Sequence, residues 1–436
     1  MKANFRGVVW ACALSTAALA QGPTYSKDIA PIYQAKCQIC HHDGDIAPFS
    51  LNNYDDAVTW ATETRGSITN GTMPPWKPVA GHGDFRDNTS LTADEKQTIL
   101  DWLTGGMPEG DPADLPDPVV YASDWPLGTP DLALTVPQSF MPAVGGDVYR
   151  CFVLPDTGLA SDTYLSAIDV MPGNRQIVHH VIIFADTTGT AAQLDGQDGM
   201  PGYSCFGGPG IPVNTTNILQ ALDSLSGMGG WAPGTRAHFL PDGIGTLLPG
   251  GARVVMQVHY HPNGVTGPDQ SQIGLYFMQS QIQKRLYHIP VVNMDFKVAP
   301  NTVQDVTAVF PPIPLPLSAK AINIFPHMHL LGRKIKADLI DISGNVTPMI
   351  YEDNWDFNWQ GAYTYTNAIP IPNYSKVRVT CTFDNTAANP KNPNDPLVTV
   401  GWGERTTDEM CLAFVGVTLD VDPFTILRNI KPVPVK

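Results

Sequence analysis

The chain has 436 residues, more than one ordinary domain holds, so two to four domains are expected. Its formal net charge of −15 argues against nucleic acid or an anionic lipid surface as a partner. Charged residues make up only 15%, and 39 glycines and 40 prolines favour many short strands joined by turns over long helices.

The first twenty residues have the pattern of an export signal. Lys2 and Arg6 form a basic start, an apolar run follows, and residues 18–20 (Ala-Leu-Ala) form a small-residue cleavage site. The run is too short to span a bilayer, and no later segment is long and apolar enough to do so. The sequence therefore predicts a signal peptide over residues 1–20 and a periplasmic or secreted protein without a membrane span.

The next feature is the segment KCQICHH, which contains a Cys-x-x-Cys-His motif. A zinc ribbon would need a second cysteine pair nearby, and a thioredoxin-like redox pair would need a strand–helix–strand setting; the sequence offers neither. Three helical patterns lie around the motif instead: YSKDIAPIYQAK, NYDDAVTWATET and LTADEKQTILDWLTGG, the last with a capping box (Thr92, Glu95) and a stop at Gly105. This arrangement predicts an all-α haem domain over residues 21–107, in which Cys37 and Cys40 tether a c-type haem and His41 ligates its iron.

The sixth iron ligand is predicted to be Met73, in the proline-flanked loop NGTMPPW. The segment resembles the small Met-ligated cytochrome c domains that bacteria fuse to other enzymes, in which an MPPW-like loop supplies the distal methionine. Met107 and His82 are rival candidates. A single methionine is more often core filler, so the loop context carries this prediction.

Residues 108–125 are rich in proline and aspartate without periodicity, which predicts a linker. Beyond it, short alternating runs such as IVHHVIIFA, ARVVMQVHYH and KVRVTCTF recur between Gly, Pro and Asn turns. This pattern is typical of antiparallel sandwiches or barrels. The remaining length is too great for one sandwich, so two are predicted.

Histidines concentrate in three apolar strand segments, as His179-His180, as His259 with His261, and as His327 with His329. Buried imidazoles need partners, so the pattern predicts metal binding; copper, zinc, nickel and iron all accept imidazole. Residues i and i+2 of a strand face the same side, so His327 and His329 can reach one ion. The adjacent His179 and His180 face opposite sides of a regular strand and need a bulge or a strand end to share an ion.

Four cysteines remain outside the signal peptide and the Cys-x-x-Cys-His motif: Cys151, Cys205, Cys381 and Cys411. In an oxidising compartment they can form two disulfides, and the sequence alone leaves three pairings open.

From about Trp125 to its end the chain resembles the copper type II, ascorbate-dependent monooxygenases, the family of peptidylglycine α-hydroxylating and dopamine β-hydroxylating enzymes. The resemblance rests on the HH pair, the QVHY segment, the HxH pair and the DEMC segment, in the family's order. It implies two jelly-roll sandwiches (residues 126–289 and 290–436) with solvent between two copper ions. The ligands it implies are His179, His180 and His259 for an electron-transfer copper, and His327, His329 and Met410 for an oxygen-activating copper. It also implies the disulfides Cys151–Cys205 and Cys381–Cys411.

The resemblance implies a monooxygenase that uses O2 and a small-molecule substrate, but three positions depart from the peptide-amidating members. Polar residues that hold the substrate carboxylate there are replaced by Phe325, Leu412 and Phe414, which makes peptide amidation improbable. His261 has no assigned role and is expected to be exposed or to support another residue. The tethered haem is predicted to supply the electrons, which it would receive from a redox protein or a small reductant. The alternative is a haem and copper protein that transfers electrons or handles copper without oxygenase activity.

Overall fold

The computed structural model describes residues 22–43, 47–121, 125–205, 208–212, 227–233, 235–261, 264, 267–312, 315–403 and 405–420. The predicted signal peptide lies outside the described residues. The chain divides into two compact units. The first comprises Met1–Asp43, Phe49–Pro74 and Thr89–Val119, and the second comprises Gly44–Pro48, Pro75–Asn88 and Val120–Lys436.

The first unit is helical. A π-helical turn, Tyr25–Ile29, runs into α1 (Ala30–Lys36), and α2 (Tyr54–Thr59), α3 (Ala61–Asn70), α4 (Ala93–Thr104) and a 3-10 turn (Pro112–Asp114) follow. The predicted capping box of α4 is confirmed, because Glu95 N donates to Thr92 Oγ1 at 3.1 Å and Thr92 N donates to Glu95 Oε2 at 2.7 Å. Tyr33, Ile99 and Trp102 form the centre of the helical core.

The start of the predicted linker packs against the helices. Pro108 O accepts hydrogen bonds from Tyr25 N at 2.9 Å and from Trp102 Nε1 at 3.0 Å. Gln34 Nε2 donates to Asp117 O at 3.1 Å. These contacts order a proline-rich segment that has no periodicity of its own.

The second unit consists mainly of β-strands in several sheets, which are largely antiparallel, as predicted. In chain order the strands are β1 (Leu132–Thr135), β2 (Val148–Val153), β3 (Thr163–Met171), β4 (Val178–Asp186), β5 (Tyr203–Ser204), β6 (Gly229–Trp231), β7 (Ile244–Leu248), β8 (Arg253–Tyr260), β9 (Gln272–Phe277), β10 (Lys284–Asn293), β11 (Lys297–Val298), β12 (Thr302–Phe310), β13 (Ala319–His327), β14 (Gly332–Ile340), β15 (Val346–Glu352), β16 (Tyr363–Ile371), β17 (Lys376–Asn385), β18 (Val400–Gly401) and β19 (Cys411–Leu419). A short helix, α5 (Thr190–Leu194), lies between β4 and β5.

One eight-stranded sheet, ordered β1-β9-β3-β7-β10-β19-β13-β16, is shared by two hydrophobic cores. The first core includes residues of β1, β9 and β3 and of the five-stranded sheet β5-β2-β8-β4-β6. The second core includes residues of β10, β19 and β13 and of the four-stranded sheet β12-β17-β14-β15. The halves meet where β7 and β10 pair in parallel. The predicted boundary at residue 290 therefore falls inside a strand of a continuous sheet.

Residues 75–88, which we call the strap, belong to this second unit. Val79 N donates to Tyr351 O at 2.8 Å. Tyr351 lies near the end of β15, the edge strand of the four-stranded sheet. Arg86 N donates to Thr364 O at 2.9 Å on β16, the edge of the eight-stranded sheet. The strap thus covers the exposed edges of two sheets, which removes unpaired backbone groups from solvent.

Candidate metal centre

Three histidines meet on two neighbouring strands. His179 and His180 lie on β4 and His259 lies on β8, where it pairs with His180. The register shifts between Val178 and His180, which is the irregularity that adjacent histidines need in order to share a site. Potential ligand atoms of the three side chains lie within 4.8 Å of one another, and all three residues are buried. The predicted triad is therefore brought together.

The Nδ1 atoms of the triad converge. His180 Nδ1 lies 3.3 Å from His179 Nδ1 and 3.4 Å from His259 Nδ1. With metal–imidazole bonds of about 2.0 Å, nitrogens 3.3–3.4 Å apart are close enough for one ion to be bound by them.

Protein oxygens hold the opposite nitrogens of two of these rings. His179 Nε2 lies 3.2 Å from Phe357 O, and because a carbonyl can only accept, the proton is on Nε2 and Nδ1 is a bare lone pair. His259 Nε2 lies 3.1 Å from Asp147 Oδ1, although not in line for a regular hydrogen bond. Hydrogen bonds between the Nδ1 atoms would require one proton on His180 to be shared by two acceptors, whereas one cation would satisfy all three lone pairs together.

Burial keeps these imidazoles neutral, as metal ligands must be. Loss of hydration lowers the pKa of His179 and of His180 well below the usual value, and the neighbouring imidazoles lower it further. Burial also lowers the pKa of His259, although Asp147 opposes that shift. Together with the lone-pair geometry, the neutral rings make the triad a plausible copper site.

Asp147 is a residue that the sequence analysis missed. Burial raises its pKa, but the contacts with the imidazoles of His259 and His261 outweigh that effect and the net shift is downward. His261 Nδ1 lies 2.7 Å from Asp147 Oδ1, which gives this previously unassigned histidine a supporting contact. The Thr406 hydroxyl also bonds to Asp147. Nothing in the local sequence GGDVY indicates that its aspartate contacts the histidines of a metal site.

The second histidine pair lies at the end of β13. His327 and His329 have ring centroids 5.1 Å apart and nearly perpendicular planes. His327 Nδ1 lies 2.6 Å from Gln360 Oε1, and His329 Nδ1 lies 3.1 Å from Asp408 O. Both contacts leave Nε2 as the free nitrogen. Burial lowers the pKa of His327 to about 3 and that of His329 to about 4, so both rings are neutral at physiological pH.

Met410 lies next to this pair in the backbone arrangement. His327 pairs with Leu412 in the antiparallel arrangement of β13 and β19. Two residues further along each chain direction, Met410 before Leu412 corresponds to His329 after His327. Glu409 Oε2 accepts from His329 N at 2.9 Å and from Met410 N at 3.3 Å. Burial raises the pKa of Glu409 to about 8. One buried carboxyl group therefore anchors both backbone positions.

The two histidine groups lie close together and are largely shielded from bulk solvent. The ring centroids of His180 and His327 are 6.3 Å apart, and each residue is only 8% exposed. The ring of Phe357 stacks on His179 at 4.7 Å, and its centroid lies 5.9 Å from that of His329. The ring of Phe357 therefore lies beside both histidine groups.

In the helical unit, Cys37 and Cys40 are not joined in a disulfide. His41 Nδ1 lies 3.1 Å from Phe49 O, which leaves its Nε2 available for a metal. Met73 is half-buried in the same unit. Of its rivals, Met107 packs against the helical core, whereas His82 belongs to the β unit and lies against Tyr351.

Two disulfides join the remaining cysteines, Cys151 to Cys205 and Cys381 to Cys411, which is the pairing that the resemblance implied. Disulfides of this kind indicate an extracytoplasmic protein. Within the described ranges, every helix is too short or too polar to cross a membrane.

Residues 298–417 match the family described as copper type II ascorbate-dependent monooxygenase, C-terminal domain. This domain contains His327, His329 and Met410, and it implies a copper-dependent monooxygenase. No curated protein matches the chain. Among solved structures, the major capsid protein P2 from bacteriophage PM2 is similar at 10% identity and a TM-score of 0.27, over 67% of this chain and 98% of that one. PNGF-II is similar at 10% identity and a TM-score of 0.27, over 66% and 65%. These scores are too low to bear on fold or function.

Proposed function

We propose that this copper-dependent monooxygenase is an exported dicopper enzyme that hydroxylates a C–H bond of a small substrate with O2. In this proposal, a c-type haem on the same chain supplies the electrons. The observation that carries the proposal is the convergence of three buried, neutral Nδ1 atoms at His179, His180 and His259. Three imidazoles support both Cu(I) and Cu(II), as a one-electron relay requires.

The proposed second copper ligands are His327, His329 and Met410, the catalytic set. Copper bound there would supply the one-electron chemistry that O2 activation needs, and a soft thioether favours Cu(I). Gln360 and the Asp408 carbonyl orient the two imidazoles, and Glu409 fixes the backbone of His329 and Met410. These contacts preorganise the ligands before any ion arrives.

The surface beside His327 supports a substrate of low polarity. Phe325 lies 6.3 Å from the His327 ring and 6.4 Å from Phe414, with which it stacks. Leu412 pairs directly with His327 across the sheet. A substrate carboxylate placed on these three apolar side chains would lose hydration without gaining a partner, which disfavours peptide amidation.

The haem part of the proposal rests on the helical unit. Cys37 and Cys40 take no part in the two disulfides, which pair the other described cysteines, and His41 presents Nε2 while its Nδ1 is held by a carbonyl. These residues fit a covalently tethered haem with His41 as one axial ligand and Met73 as the other. The proposed domains are a cytochrome c-like domain over residues 21–107, a linker over 108–125 and jelly-roll sandwiches over 126–289 and 290–436.

The function is tested on the full chain loaded with copper and supplied with a reductant. We expect two coppers per chain by metal analysis, and oxygen uptake matched by a hydroxylated product when cell extracts are screened as substrates. The double variant His327→Ala/His329→Ala should lose uptake and bind one copper fewer, whereas Glu63→Ala, at an exposed position of α3, should behave as wild type. Peptide α-amidation precursors should not turn over.

The main alternative is an electron-transfer or copper-handling protein. Two bound coppers that undergo redox cycling without substrate-coupled oxygen uptake would favour it over the oxygenase. Fewer than two coppers in the fully loaded chain would contradict both the dicopper proposal and the paired ligand sets.

A further inference from the structure

A cavity of about 150 Å³ lies in the β unit where the two halves of the shared sheet meet. Its walls include Asp169 of β3, Met228, Trp231 of β6, Thr235, His288 of β10 and Asn323 of β13. A cavity of this volume holds a molecule about as large as benzene.

The cavity is separate from the histidine groups. Asn323, on its wall, precedes His327 by four residues of β13, which corresponds to about 13 Å along an extended strand. The stacked rings of Phe325 and Phe414 occupy the row between them. On the cavity row, His288 and Asn323 both pair with Gly416, where any Cβ would overlap the Asn323 side chain. Glycine therefore leaves room for the amide beside the cavity.

Asp169 is the unusual group of this cavity. Its side chain is 5% exposed, and its Oδ2 atom is buried without a hydrogen-bond partner. A second wall atom, Thr235 Oγ1, is also buried and unpartnered. Burial raises the pKa of Asp169 to about 6, so the carboxyl group still ionises at neutral pH. An ionised oxygen without a donor is costly, and a ligand that donates hydrogen bonds would remove that cost.

We propose that this cavity binds a small organic ammonium ion, with the ammonium group at Asp169 Oδ2 and an apolar body against Trp231 and Met228. The carboxylate supplies charge and a hydrogen-bond acceptor, and the aromatic and thioether walls supply contact area. The site uses no copper ligand, so its occupancy does not depend on the metal centres or on the proposed oxygenase activity.

Two cationic residues on the wall, Arg86 and Arg236, do not overturn this charge preference. Both side chains are exposed, so water screens their charges. Asp169 is buried, where the effective dielectric constant is lower and each charge acts more strongly. A third cation, Arg175, lies 6.0 Å from the Trp231 ring and lowers the pKa of Asp169, but it makes no hydrogen bond to Oδ2.

Binding is measured on the full, metal-loaded chain by ligand-observed NMR, with 4-fluorobenzylammonium as the probe and 4-fluorobenzyl alcohol as its neutral counterpart. We expect the ammonium ion to bind at least about tenfold more tightly than the alcohol, as expected for a hydrogen bond to a charged group. Asp169→Asn should weaken ammonium binding by a similar factor. Asp242→Asn, which removes an exposed carboxylate beside the wall residue Pro241, should leave it unchanged.

Equal binding of the two probes to the wild-type chain would overturn the proposal, and that comparison needs no variant to fold. Retention of ammonium binding in a folded Asp169→Asn chain would overturn it too, because the amine would then be bound elsewhere, as on copper or haem iron. Absence of binding by either probe would show that the cavity holds water only, and this result would overturn the proposal as well. Oxygen uptake, measured separately, reports on the proposed function.

Discussion

Four of the five histidines in the two groups have one ring nitrogen directed at a protein oxygen, and this decides which nitrogen remains for a metal. His179 and His259 use Nε2, towards Phe357 O and Asp147. His327 and His329 use Nδ1, towards Gln360 and Asp408 O. The triad therefore presents Nδ1 atoms and the pair presents Nε2 atoms. Such partners fix ring orientation and typically change metal affinity by about 10–100-fold when lost.

The contribution of such a partner to copper affinity can be tested at Gln360. Its Oε1 atom accepts from His327, while its Nε2 atom donates to Phe357 O at 2.9 Å. Gln360→Leu should weaken copper binding at the His327/His329 site by about 10–100-fold, measured by competition with a chelator. Gln360→Glu retains an acceptor oxygen and should restore most of the affinity.

The triad is the internal control for this experiment, because its affinity should change little in either variant. Unaltered copper binding at both sites in Gln360→Leu would show that the amide does not hold the His327 imidazole in its binding orientation.

Among the elements, the strap and the two edges that it covers depend on pairing between segments far apart in sequence. Phe85 of the strap forms an isolated bridge with Tyr365 of β16, and Pro78 forms one with Glu352 of β15. Glu352 is fully buried there, beside Tyr363. Burial raises the pKa of Glu352 to about 8, with partial opposition from Tyr363 and Lys77. An acidic group at this junction makes the stability of the second core depend on pH.

The sign of that dependence follows from linkage. Between the ordinary pKa of 4.5 and about 8, Glu352 keeps its proton in the folded state and releases it when the chain unfolds. The free energy of unfolding should therefore fall as pH rises through this window, by up to about 1.4 kcal/mol per pH unit. Glu352→Gln should remove this contribution and be more stable than wild type at pH 8, as measured by thermal unfolding of the metal-free chain.

An exposed acid serves as the comparison. Glu63 is exposed on α3, so Glu63→Gln should not change how the free energy of unfolding varies with pH. If Glu352→Gln and wild type keep parallel curves from pH 5 to pH 8, Glu352 is ionised in the folded protein and the inferred upward shift of its pKa is wrong.

On the scale of the whole molecule, the chain combines one helical unit, which contains the Cys-x-x-Cys-His motif, with a β unit, which contains the histidine groups. Two disulfides stabilise the β unit, and both are buried. The proposed haem and the proposed coppers would allow one-electron steps within a single chain, without dependence on a diffusing reductant such as ascorbate.

Replacing Cys37 and Cys40 by alanine tests whether the haem supplies the electrons. The double variant should lose covalently bound haem, seen as the loss of its absorbance from the denatured chain. Oxygen uptake driven by a protein donor should fall strongly, because the relay lacks its entry point, whereas uptake driven directly by ascorbate should persist. Equal uptake with the protein donor before and after the replacement would refute the haem route.

Features that depend on local pattern can be predicted from the amino-acid sequence alone. The helix of residues 93–104 follows from its capping box and its glycine stop, and the antiparallel strands follow from alternation between turns. The three histidine spots, including the need for an irregularity at His179-His180, follow from the two-residue period of a strand. Each of these features depends on residues only a few positions apart.

Contacts between residues distant in sequence become visible only in the folded chain. The contacts of Asp147 with His259 and of Phe357 with His179 each join residues more than one hundred positions apart, so no local sequence pattern predicts them. The continuous sheet through β10, the strap over two edges and the unpartnered Oδ2 atom of Asp169 arise in the same way. Local periodicity fixes which side of a strand a residue faces, but only packing fixes what it meets there.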